Sequence, residues 1–208
     1  RAGSFQSAPV KTSTPYSVVT VLTHGFQADP LASFTNGGRF KQPVAFMEMA
    51  QMIVDAAGGG VVLSYDTKTG LWVDRSLWDG NGDPPPYAVG VRNLVPGKAV
   101  VLVADWFVES DISDSGFAEA AADALYVSMR DLDNLTGGNL LNSPLHFIGH
   151  SRGTVVNSEI IQRLGVSGRV PSGIQMTTLD PHDFDQKSLN IQLADLAVAA
   201  RRTLNAAK

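Results

Sequence analysis

The chain has no cysteine, which excludes disulfides, thiolate metal sites and a cysteine nucleophile. It has no stretch approaching the roughly 20 apolar residues of a spanning helix, and no charged-then-apolar leader at its start. It also lacks any long run of Lys or Arg, since 16 basic residues stand against 20 acidic ones for a formal charge of -4. That removes the electrostatic footprint for nucleic acid or an anionic membrane surface. Histidine is scarce, with 4 residues in the chain, so chemistry that needs an imidazole has few candidates. No internal repeat or low-complexity block is present.

What is present is 44% hydrophobic content over 208 residues, enough for one sizeable core. One domain is expected over 18–208, preceded by a Ser-, Thr- and Pro-bearing lead-in or linker over 1–17. The chain starts at Arg1 and not at a methionine, so a processed product or an excised piece of something longer is expected.

Apolar β-branched runs predict buried strands at Val18–Leu22, Val61–Tyr65, Ala99–Ala104, Leu145–Ile148 and Ile174–Leu179. Helical spacing appears between them: Val44 to Val54 behind Pro43, Phe117 to Met129 within a predicted helix over 114–131, and Val155 to Leu164. Residues 27–42 read as a loop near the strand ends. Residues 66–97, with Trp72, Trp78 and three consecutive prolines, read as an excursion, either a surface loop or a small hairpin packed on the sheet. The final stretch, about 188–207, reads as helical or partly frayed. Alternation of strand and helix predicts an α/β fold, with a mostly parallel, doubly wound sheet flanked by helices.

Within that frame Gly149-His150-Ser151-Arg152-Gly153 follows a strand and opens a helix. In a G-x-S-x-G turn the first glycine lets strand and helix approach. The second avoids a clash beneath the turn, and the serine projects its hydroxyl from a strained backbone. A serine that merely caps the helix is the plainer alternative. Ser151 as nucleophile needs an imidazole to take its proton and a carboxylate to orient that imidazole. Asp180 ends the next strand and is the candidate acid. His182 is the candidate base inside the chain, although a single loop would then have to place both acid and base. The other expectation is a base beyond Lys208. His24-Gly25-Phe26 ends the first strand, where the Phe26 N–H can face a developing oxyanion together with the N–H of Arg152. Asp105-Trp106 ends another strand, at the edge where open α/β sheets place their chemistry. His24, Gly25, Trp106 and His150 are candidates to border substrate. No cofactor is required, and Asp183 and Asp185 with His182 are the one candidate Ca2+ site.

Together, His24-Gly25-Phe26, Asp105-Trp106, Gly149-His150-Ser151-Arg152-Gly153 and Leu179-Asp180-Pro181 resemble the pancreatic-type lipase branch of the α/β-hydrolases and related bacterial lipase-like domains. Motif order and approximate spacing match from about Val18 to Asp185. The resemblance implies an α/β-hydrolase fold, here truncated after the acid-bearing strand. It implies Ser151 as nucleophile, Asp180 as triad acid, and Phe26 and Arg152 as oxyanion donors. It also implies a small-molecule or lipid ester as substrate and a secreted or extracellular bacterial-type setting. Arg152 departs from the small or aliphatic residue common in the family, and the family's lid disulfides are absent. The expected function is therefore a serine esterase or lipase-like hydrolase. The alternatives are a non-catalytic hydrolase-like scaffold, or an acyltransferase or thioesterase using the same serine.

Overall fold

The computed structural model describes residues 15–26, 43–78, 84–86, 88, 89, 93–106, 110, 116–168 and 173–181. Among the described residues six strands form one sheet: β1 (Val19–Thr23), β2 (Gly60–Asp66), β3 (Leu71–Asp74), β4 (Ala99–Ala104), β5 (Leu145–His150) and β6 (Ile174–Leu179). Their order across the sheet is β3-β2-β4-β1-β5-β6. Every neighbouring pair is parallel except β2 with β3. Helices among the described residues include α1 (Val44–Ala56), α2 (Phe117–Leu135), the single turn α3 (Asn139–Asn142) and α4 (Gly153–Val166).

The central strands are buried on both faces because each face has its own helical cover. Val19, Val21, Leu102 and Phe147 look towards α2 and α4, where Leu125, Met129, Val156 and Ile160 meet them. Leu22, Val101, Val103 and Ile148 look the other way, onto Phe46, Ala50 and Val54 of α1. Those three recur every four residues, the spacing that puts one helical face on a sheet. The result is the mostly parallel sheet flanked by helices that the alternating pattern predicts.

Chain direction reverses at β1. From β1 the chain passes through α1 to β2 on one side, and from β5 through α4 to β6 on the other. The carboxyl ends of β1 and β5 therefore flank a topological switch point, where diverging connections leave a crevice.

The excursion begins as a small hairpin packed on the sheet, one of its two expected forms: β3 pairs antiparallel with β2 and closes that edge, with Trp72 buried against the core. Other boundaries differ from the sequence reading. Helix α2 starts at Phe117 behind Gly116 and runs to Leu135, past the expected end at Asp131. Asp133 explains the extension, because its fully buried carboxylate accepts the Leu141 N–H at 2.9 Å and so welds α2 to α3. The lead-in is already part of the packing at Tyr16, which is buried and whose N–H bonds Ser143 Oγ. The expected loop at 27–42 and the expected terminal helix lie outside the described residues, as does residue 114, the expected start of α2.

Candidate functional site

Ser151 sits at the turn between β5 and α4 with φ of 50°, a left-handed conformation unusual for a residue with a Cβ. Two glycines make that turn possible through space. A Cβ on Gly149 would lie 2.7 Å from the Thr154 backbone, and one on Gly153 would lie 2.2 Å from the carbonyl oxygen of Thr23. The helix can therefore start directly against both β5 and β1. Thr154 braces the turn, its hydroxyl donating to the Ser151 carbonyl at 2.7 Å. Below it the Thr23 hydroxyl donates to Asn157 Oδ1 at 2.6 Å, tying β1 to α4.

The loop after β1 arrives at the same place. A Cβ on Gly25 would lie 2.5 Å from Ser151 Cβ and 3.1 Å from Ser151 Oγ. Gly25 is thus in backbone contact with the serine, and Phe26 follows it in the chain, half-buried. Arg152 is the N-cap residue of α4.

Asp180 reaches the site from the other side. β5 and β6 pair through His150 opposite Leu179, and the Ser151 N–H continues the ladder onto the Leu179 carbonyl at 2.9 Å. Asp180 is the next residue, exposed, with φ of 43°. Phe26, Ser151 and Asp180 thus lie at the carboxyl ends of three adjacent strands, β1, β5 and β6, and Asp105 lies one strand further out on β4.

His24 and Trp106, expected to border substrate, are instead buried behind the loop, with 0% and 1% of their surface exposed. The reason is mutual packing. Their rings stack at 5.9 Å and 29°, Phe46 meets the imidazole edge-on, and Trp106 Nε1 donates to the His24 carbonyl at 2.7 Å. His24 Nδ1 donates to the Gly25 carbonyl at 2.8 Å, leaving Nε2 buried without a hydrogen-bond partner among the described residues. Burial lowers the His24 pKa to about 4; the Gly25 carbonyl offsets part of this, and nearby His150 adds to it. His24 is therefore neutral near pH 7 and holds the loop through its ring.

The Arg152 side chain is also fully buried. Its Nη1 donates to the Ser110 carbonyl at 2.9 Å, and its guanidinium carbon lies 5.7 Å from the centre of the Trp106 ring. Burial pulls its pKa down, and the charge of Glu119 pushes it back up.

His150 is half-buried against Phe46 at 6.4 Å, and His146 bonds Thr177 Oγ1 on the sheet face, so neither is hydrogen-bonded to Ser151. His182, Asp183 and Asp185 lie outside the described residues. Among the described residues no group of three His, Asp or Glu is arranged to hold a metal ion, and no helix is long and apolar enough to cross a membrane.

Sequence reasoning missed two supports of the site: the Trp106 clasp on the His24 carbonyl, and the Thr23–Asn157 bond under the turn. A polar Asn157 inside the apolar run from Val155 to Ile161 was the readable signal for the second, because buried amides are seldom left without partners. Set against protein-family models, curated proteins and solved structures, the chain shows no match.

Proposed function

We propose that this chain is a serine hydrolase of carboxylic esters, lipase- or esterase-like, on an α/β-hydrolase fold. The observation that carries the reading is the contact between the Gly25 backbone and Ser151, with the serine in a left-handed turn at the switch point. A capping serine needs no second loop against its side chain. A nucleophile does, because the oxygen that becomes negative on attack must meet N–H donors already in place.

In the proposed reaction Ser151 Oγ attacks the ester carbonyl carbon and its proton passes to an imidazole. The carbonyl oxygen becomes an oxyanion held by the N–H groups of Phe26 and Arg152. Collapse expels the alcohol, which takes the proton from the imidazolium, and water then cleaves the acyl-enzyme by the same steps in reverse. Asp180 orients the base, which is His182 or a histidine carried beyond Lys208.

A fluorophosphonate probe tests the reading. Ser151 should be labelled, and Ser151→Ala should abolish labelling. Labelling that is absent, or that survives Ser151→Ala, refutes the hydrolase and leaves a scaffold on the same fold. Loss of labelling in His182→Ala assigns the base to His182, whereas retention assigns it elsewhere. Product analysis with water and an alcohol as competing acceptors separates hydrolysis from acyl transfer.

A further inference from the structure

Arg152 is an odd residue to bury. Removing a guanidinium from water is costly, and an aliphatic side chain of similar volume is often the more stable choice at such a position. Its contacts, however, run in a closed circuit that starts and ends at the serine. Arg152 follows Ser151 in the chain, and its guanidinium lies over the Trp106 ring. Trp106 Nε1 donates to the His24 carbonyl. The next residue, Gly25, packs on Ser151 Cβ. The same guanidinium donates to the Ser110 carbonyl, while the Ser110 N–H bonds back to the Trp106 carbonyl at 2.8 Å. Trp106 is thus fixed at its ring and at its backbone by groups that converge on one cation.

We propose that Arg152 is a positioning residue whose buried guanidinium holds Trp106, and through the His24 carbonyl holds the 24–26 loop, at a fixed height over Ser151. The inference rests on the hydrolase reading for its effect on rate, though the circuit itself does not. Lysine cannot replace arginine here, because an ammonium lacks the planar face that lies over an indole and the fork that reaches a carbonyl at the same time.

The test is a double-mutant cycle on the whole chain, with Arg152→Met, Trp106→Phe and the pair, read by the rate of fluorophosphonate labelling and by kcat and KM on a soluble ester. Arg152→Met should lower kcat by about tenfold to a hundredfold with KM within about twofold, as expected for loss of alignment without loss of binding. Trp106→Phe keeps a ring but removes the Nε1 donor, and should lower kcat in the same way. The pair should be no slower than Arg152→Met alone, because both changes cut one circuit. Additive losses, or a change confined to KM, overturn the proposal.

A second readout does not depend on activity. The Trp106 indole N–H signal in a 15N spectrum should shift and lose exchange protection in Arg152→Met, and an unchanged signal overturns the proposal. Should Arg152→Met fail to fold, Arg152→Lys takes its place, with the same signal expected to move. If the parent chain is not labelled at all, the hydrolase reading falls, and the indole signal alone decides whether Arg152 orders the loop.

Discussion

Replacing Gly25 by alanine is the sharpest perturbation of the site, because it adds one methyl group at the point of contact. Gly25 does not occupy the left-handed region, so the substitution acts through space and not through backbone strain. The new Cβ would stand 2.5 Å from Ser151 Cβ and 2.9 Å from the His150 carbonyl oxygen, whereas ordinary contact begins at 3.4 Å. Loop and serine would have to part by about 0.9 Å to relieve the clash. A displacement near 1 Å between nucleophile and oxyanion donors costs about a hundredfold in rate, equivalent to about 2.7 kcal/mol of barrier. Overpacking should also cost about 1–3 kcal/mol of stability. The assay is the second-order rate of fluorophosphonate labelling alongside urea unfolding. Gly173→Ala serves as control, since a Cβ there meets nothing within 4 Å. A Gly25→Ala protein that labels at the parent rate and unfolds at the parent midpoint would show that the loop does not rest on Ser151.

Other outcomes follow from the same geometry. Gly153→Ala places a Cβ 2.2 Å from the Thr23 carbonyl oxygen at the end of β1 and 2.5 Å from that of His24, the next residue; it should destabilise by about 3 kcal/mol or more, or block folding, as read by urea denaturation. Burial holds the His24 pKa at about 4 against an ordinary 6.5, so the unfolded chain binds that proton more tightly. Stability is therefore undiminished by His24 above pH 6.5 and falls towards pH 4, by up to about 3 kcal/mol over the whole window. The loss of stability between about pH 7 and about pH 5 should shrink in His24→Asn, compared by urea unfolding at both pH values. Asp133→Ala leaves the buried Leu141 N–H without its acceptor and should cost about 1–3 kcal/mol in thermal unfolding. Arg163→Ala breaks ion pairs to Glu159 and to the exposed Asp123 and should cost only about 1 kcal/mol or less, diminishing in high salt.

The strands were readable because parallel strands buried on both faces are nearly continuous apolar runs, as Ala99–Ala104 illustrates with all six residues buried. The elbow was readable because Gly149 and Gly153 answer to steric demands that no other residue meets. Other features depend on partners remote in sequence. The extension of α2 to Leu135 rests on Asp133 meeting Leu141, and α3 is a single turn, too short for periodicity to register. The inward course of the Arg152 side chain rests on Trp106, Ser110 and Glu119, each more than 30 positions away along the chain, which no local pattern encodes.

Serine and acid stand on unequal footings. β5 is hydrogen-bonded between two parallel neighbours, whereas β6 is paired on one side only among the described residues and has no fully buried position. Marginal strands open at lower free energy than central ones. The Leu179 carbonyl that receives the Ser151 amide is therefore the first tether to yield when this end of the molecule breathes. Amide exchange should run faster along Ile174–Leu179 than along Leu145–His150, and each such opening would draw Asp180 away from Ser151 while the nucleophile's own turn stays intact.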